Sequence, residues 1–177
     1  MFRYGNRLSK DIDIFVPDPQ YLGYVTPRLS DTAASLTEEY TEMPGSFVKL
    51  QFEEGEIDFV AAPNLTDAAW ERWDIQGRPV RVETAGEVIA KKMYHRGDRA
   101  TARDLFDLAM VVEQEPDALA AAAPFLVRHR DRFLEQIRQP GAGFVATFEA
   151  IAATGYQPSL AHCVEVATAY LSALKDR

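Results

Sequence analysis

A chain of 177 residues that is 47% hydrophobic and 26% charged has enough apolar material for one ordinary globular domain, or for a small sheet domain joined to a helical one, and is too apolar to be disordered. Its 27 acidic residues against 19 basic ones give a net charge of −8 and an isoelectric point near 4.9, which excludes attachment to nucleic acid by bulk charge alone. The single cysteine, Cys163, excludes a disulfide framework and a thiolate metal site.

No apolar run approaches the ~20 residues of a membrane span, and the start MFRYGNR lacks a secretory apolar core, so a soluble cytoplasmic protein with no membrane partner is expected. Up to four strands are predicted in the first half: residues 11 to 16 (DIDIFV), 47 to 53 (FVKLQFE), 56 to 62 (EIDFVAA) and 78 to 83 (RPVRVE). The middle two alternate around EGE, which predicts a hairpin turning at Glu54 and Gly55. LSDTAASLTEEY predicts a helix capped by Ser30 or Asp31, and LTDAAWERWDI predicts another capped by Thr66 or Asp67. From Thr84 alanine is abundant and β-branched alternation is gone. Helices are predicted over 84 to 95, 100 to 113, 117 to 137, 141 to 153 and 158 to 175, punctuated by Gly97, Pro116, Pro140 with Gly141, and Pro158. The expected architecture is α+β, a small mixed sheet with flanking helices over residues 1–83 followed by a C-terminal helical bundle over 84–177.

Asp11 and Asp13 stand one residue apart in a strand, so both point to one face while Ile12 and Ile14 point to the other. Like charges that close raise one another's pKa unless a cation lies between them, and Mg²⁺, which takes oxygen ligands, is a cation two carboxylates can share with phosphate. A solvated acidic edge strand has the same pattern, and a bare D-x-D leaves both readings open. Asp58, between Ile57 and Phe59, adds a third strand carboxylate on the side opposite its apolar neighbours, with Glu54 and Glu56 nearby.

In the helix at 84 to 95, Ala85, Val88, Ile89 and Met93 form an apolar stripe; Lys92 projects within it and Lys91 beside it. An inward lysine either snorkels or meets an anion, a carboxylate or a phosphate. In the next helix Asp104 falls between Leu108 and Val111 on the helical wheel, so it and Asp107 should be partly buried and should find a cation among Lys92, Arg96, Arg99 and Arg103. The expected pair for Asp107 is Arg103, one turn before it. His95, His129 and His162 are scattered, with no zinc spacing.

The ordered set Arg7-Leu8-Ser9-x-Asp11-Ile12-Asp13, Ile57-Asp58, Glu87-x-x-Ala90-x-Lys92, Arg96 and Arg103-Asp104-Leu105-Phe106-Asp107 resembles the AbiEii/AbiGii nucleotidyltransferase-like toxin family, over residues 5 to 112. The resemblance implies a nucleotidyltransferase-like sheet domain and a helical domain, and transfer of a nucleotide from an NTP to an acceptor, in some members tRNA. It implies Asp11, Asp13 and Asp58 as ligands of Mg²⁺, two ions in the active form. Asp11, Asp13, Asp58, Lys92 and Asp104 would be catalytic, with Ser9, Arg7, Lys91, Arg96 and Arg103 on the substrate, and a cognate antitoxin as partner. Family members carry a Gly-Gly or Gly-Ser turn and a helix before the first strand; here Asp11 stands ten residues after Met1 and Gly5 is too close to be that turn. A start downstream of the natural one, or a shortened and inactive member, is expected on that account. The alternative function is a catalytically inactive toxin-like binding module for a protein partner; metal-dependent hydrolysis would use the same acids. Basic side chains at Arg96, Arg99 and Arg103, and at Arg128, Arg130, Arg132 and Arg138, could track RNA or be helix surface paired to Asp98, Asp131 and Glu135.

Overall fold

The computed structural model describes residues 10–175, in two compact units that divide between Asn64 and Leu65. Arg7 and Ser9 lie outside the described residues.

The first unit is built on four strands: β1 Asp11–Val16, β2 Tyr40–Met43, β3 Phe47–Gln51 and β4 Glu56–Ala61, in the order β1-β4-β3-β2. β1 runs parallel to β4, and the other neighbours are antiparallel. The predicted hairpin forms, with its turn one residue earlier than expected: Phe52 and Gly55 exchange both backbone bonds around Glu53 and Glu54. Gly55 is required there, because a Cβ would stand 2.0 Å from the carbonyl oxygen of Lys10. That contact lets β4 start flush against β1. Leu22, from a 3-10 turn over Pro19–Tyr24, packs on Val48 and Leu50, joined by Val16, Ile57, Phe59 and Ala61. The register puts all of these strand residues on one face, so the opposite face carries the alternate set.

The helix expected from LSDTAASLTEEY is a single turn, α1 Asp31–Ala34, capped by Ser30, whose Oγ accepts from the Ala33 N–H. Residues 40 to 43 instead pair with β3 as an edge strand, where Tyr40 and Thr41 suit a pleated surface better than a helix.

The second unit begins with a ribbon, β5 Trp70–Ile75 and β6 Arg78–Glu83, so LTDAAWERWDI is not a helix. The cue is the Gln76-Gly77 turn between alternating runs. Both residues have positive φ, 53° and 76°, the twist-matched geometry of a two-residue hairpin. Gln76 holds that conformation against its own Cβ. Gln76→Gly is therefore expected to raise stability by about 0.5–1 kcal/mol, read from chemical denaturation midpoints; an unchanged or lower midpoint would show the strain to be absent.

The helices α2 Ala85–Arg96 and α3 Ala102–Gln114 fall close to expectation, capped by Thr84 and Thr101. The long helix expected over 117 to 137 is broken into a 3-10 turn over Pro116–Leu119, α4 Ala123–Leu126 and α5 Arg130–Arg138. Pro124 explains the break before α4, since proline cannot donate to a preceding turn and is tolerated only in the first turn of a helix, where α4 puts it; the second break, between Leu126 and Arg130, lies beyond it. Helices α6 Ala142–Glu149 and α7 Leu160–Ala173 complete the unit. α3 is its centre, with Leu105, Phe106, Leu108, Met110 and Val111 buried among Phe133, Ile137 and Leu171. Among the described residues no helix is long and apolar enough to cross a membrane.

Candidate functional site

Each unit carries one assembly of the predicted residues. In the first, the parallel register aligns Asp13 with Asp58 and Asp11 with Glu56, and the β3 register adds Lys49 beside Asp58 and Gln51 beside Glu56. Laterally paired residues share a face, so Asp13, Asp58 and Lys49 form one row and Asp11, Glu56 and Gln51 the next, about 7 Å along the strands. This is the face away from Leu22 and Val48. The three acids expected on a common surface are on one.

Asp58 is the enclosed member. Its side chain is 21% exposed, its Oδ2 lies 3.3 Å from the Lys49 ammonium, and its Oδ1 is buried with no hydrogen-bond partner among the described residues. Burial raises its pKa, reinforced by the charges of Asp13 and Glu56 and opposed by Lys49. Glu56 is held below its ordinary value chiefly by the hydrogen bond from Lys49 at 2.6 Å.

Lys49 was missed in the sequence, although the signal was there. A turn at Glu53 and Glu54 pairs Phe52 with Gly55, and counting back along both strands pairs Lys49 with Asp58. Its position in line with two acids follows from the hairpin alone.

Among the described residues no three His, Cys, Asp or Glu side chains stand close enough to coordinate one ion as a closed cage. Mg²⁺ does not need one: it keeps several waters and is held by one or two carboxylates together with substrate phosphates. Adjacent Asp13 and Asp58, with a buried and unpartnered Oδ1, are a donor set that fits it.

In the second unit the predicted lysines and acids meet between α2 and α3. The Lys92 ammonium lies 2.5 Å from Asp107 and 3.3 Å from Asp104, and Arg96 reaches Asp104 at 2.6 Å. The anion expected for Lys92 is thus a pair of carboxylates. Asp107 takes its cation from α2, not from Arg103, which is exposed: the helices pack closely enough that Lys92 reaches inward while Arg103 faces water. Asp104 also completes a capping box, accepting from the Thr101 backbone and hydroxyl.

Lys91, placed beside the stripe in sequence, is the more enclosed lysine at 5% exposure against 15% for Lys92. It pairs with Glu83 at 2.5 Å and lies 3.6 Å from Glu87. The fully buried Glu87 accepts from the Leu65 and Thr66 N–H groups and from the Thr66 hydroxyl, tying the start of the unit to α2.

Burial by itself pushes the Asp104 carboxyl up, but the charges of Lys92 and Arg96 and the hydrogen bonds from Arg96 and Thr101 outweigh it and hold the group below its usual value. A carboxyl depressed on folding contributes stability above its unfolded pKa and loses it as pH falls through the folded one. Stability followed by circular dichroism is expected to fall between about pH 5 and pH 2, and Asp104→Asn to flatten that fall. An identical acid slope in the variant would remove Asp104 from the account.

Of the second basic set, Arg128, Arg130 and Arg132 meet partners within the unit, Arg132 at its surface, and Arg138 is exposed. Arg128 stacks on Tyr94 at 4.3 Å, Arg130 donates to the Leu174 carbonyl at 3.0 Å, and Arg132 pairs with Glu135 at 2.9 Å. His162, given no role in sequence, meets Glu113 at 2.8 Å, and Glu113 also accepts from the Tyr156 hydroxyl. The Cys163 thiol is buried, and burial pushes it up to about 12.

Comparison with curated proteins finds no match, and comparison with solved structures finds none. Comparison with protein families finds one: the model described as nucleotidyl transferase AbiEii toxin, type IV TA system, matches residues 1–175. With nearly the whole length matched, and with the acid row and the α2–α3 cluster formed from the motif residues, the chain belongs to the AbiEii nucleotidyl transferase toxin family of type IV toxin–antitoxin systems.

Proposed function

We propose that the chain is a Mg²⁺-dependent nucleotidyltransferase that moves a nucleotide from an NTP onto an RNA acceptor such as tRNA, in the cytoplasm, as the toxin beside a cognate antitoxin. The observation that carries this reading is the lateral pairing of Asp13 with Asp58, whose buried Oδ1 has no partner among the described residues. Asp13 and Asp58 would hold the metal, with Asp11 in the next row of the same face, and the metal when bound supplies neutralisation of phosphate charge and orientation of the triphosphate. The acceptor hydroxyl oxygen bonds to the α-phosphorus as the bond from that phosphorus to the β-phosphate oxygen breaks; pyrophosphate leaves, and the hydroxyl proton goes to Asp58. Lys49 lies 3.3 Å from Oδ2 of Asp58 and leaves Oδ1 as the oxygen with no hydrogen-bond partner among the described residues.

Lys49 also favours a second reading. Its ammonium neutralises Glu56 and Asp58 without any metal, as in a catalytically inactive module that binds a protein partner. Calorimetric titration with NTP, with and without Mg²⁺, separates the two. The transferase binds NTP only with the metal, and the module gives no heat in either case.

A further inference from the structure

The ribbon of β5 and β6 has two unlike faces. One presents Glu71, Trp73 and Ile75 with Val80 and Val82; the other presents Trp70, Arg72 and Arg81. On this second face Arg72 and Arg81 stand directly opposite each other, with Cβ atoms about 5 Å apart, an arrangement of like charges that destabilises a ribbon. Neither has an ion-pair partner among the described residues. Of the acids on that face, Glu83 pairs with Lys91, and the exposed Asp74 accepts from the Gly77 N–H at 2.8 Å and forms no ion pair with either arginine. Arg81 instead lies over the Trp70 ring at 4.3 Å, and that ring is 42% exposed. In a chain of net charge −8, two adjacent guanidiniums with no ion-pair partner among the described residues, beside an exposed indole, are a local basic and aromatic patch.

We propose that this face binds single-stranded RNA. Guanidiniums form paired hydrogen bonds to phosphate oxygens, and two of them side by side match neighbouring phosphates of one strand. A base extends the Arg81–Trp70 stack, since aromatic rings and guanidinium planes are the surfaces on which unpaired bases lie. An acidic peptide would answer the two charges and leave the stacked surface without a counterpart, so the nucleic acid is favoured. The inference rests on the transferase reading only in taking the bound strand to be the acceptor; the binding itself is measurable without NTP or metal.

The experiment uses the full chain carrying Trp73→Phe, which leaves Trp70 as its single tryptophan. Titration with a twelve-nucleotide single-stranded RNA, without Mg²⁺, is expected to quench Trp70 emission. A fluorescein-labelled copy of the strand gives the affinity. Arg72→Gln with Arg81→Gln is expected to weaken binding at least tenfold and to reduce the slope of log affinity against log salt by about 1.4, two single-strand phosphate contacts. Trp70→Ala is expected to lose about 5- to 100-fold, with Trp70→Phe recovering most of it. Asp13→Asn is expected to bind RNA as the parent does, so a failed transfer assay leaves this inference standing. Unchanged affinity and salt slope in the double arginine variant would overturn it. So would equal competition by poly-glutamate, which would make the face a surface for acidic protein.

Discussion

Lys92→Met lowers the stability of the helical unit by about 3–5 kcal/mol, because it leaves two buried carboxylates without their shared cation. Asp107 is fully buried and Asp104 nearly so, and both point at the Lys92 ammonium. Arg96 still reaches Asp104 in the variant, but Asp107 loses the ammonium at 2.5 Å, and the desolvation of a fully buried carboxylate that has lost this cation dominates the balance. Methionine fills the volume of the lysine stem, so lost packing is minor. Urea denaturation gives the number, and a loss under about 1 kcal/mol would show that the acids take up protons or water at little expense. Lys92→Arg keeps a cation in place and is expected to fold. Its nucleotide transfer then reads whether the ammonium also meets phosphate, the role that the family resemblance implies.

Asp13→Asn is the converse case: nucleotide transfer falls by about 10² or more while stability barely moves. The amide has the shape of the carboxylate, the residue is exposed, and removing a negative charge next to Asp58 relieves a repulsion that raises the Asp58 carboxyl. The melting temperature is therefore expected to stay or rise slightly. Incorporation of radiolabelled nucleotide into RNA is the activity readout, with Asp58→Asn in parallel. An Asp13→Asn protein that labels RNA at the parental rate would end the transferase reading, since nothing in its fold would have changed to compensate. Together the two substitutions separate chemistry from architecture: Asp13 and Asp58 act where a charge is left for a ligand, and Lys92 acts where every charge is already answered within the unit.

The motifs were legible in the sequence because they are local. Strand alternation alone placed Asp11 and Asp13 on one face, helical periodicity turned Lys92 inward, and the change of texture at Thr84 marked where the helices begin. The hairpin register that aligns Lys49 with Asp58 was equally local and follows from a two-residue turn. The misplaced elements were those whose conformation depends on a distant or overlooked partner. Residues 40 to 43 are a strand because β3 offers an edge, and LTDAAWERWDI is a strand because β6 folds back across Gln76 and Gly77. Pro124 ends the preceding turn and starts α4.

The sequence by itself determined on which face of its strand or helix each charge lies, since alternation in strands and the helical period are properties of neighbouring residues. Only the tertiary structure decided what those charges meet. The parallel register of β1 against β4 brings Asp13 beside Asp58 from 45 positions away, and the packing of α2 on α3 gives Lys92 to Asp107 in place of Arg103. Such pairings are set by which surfaces bury best against each other, a sum over the whole core that no short stretch of chain contains.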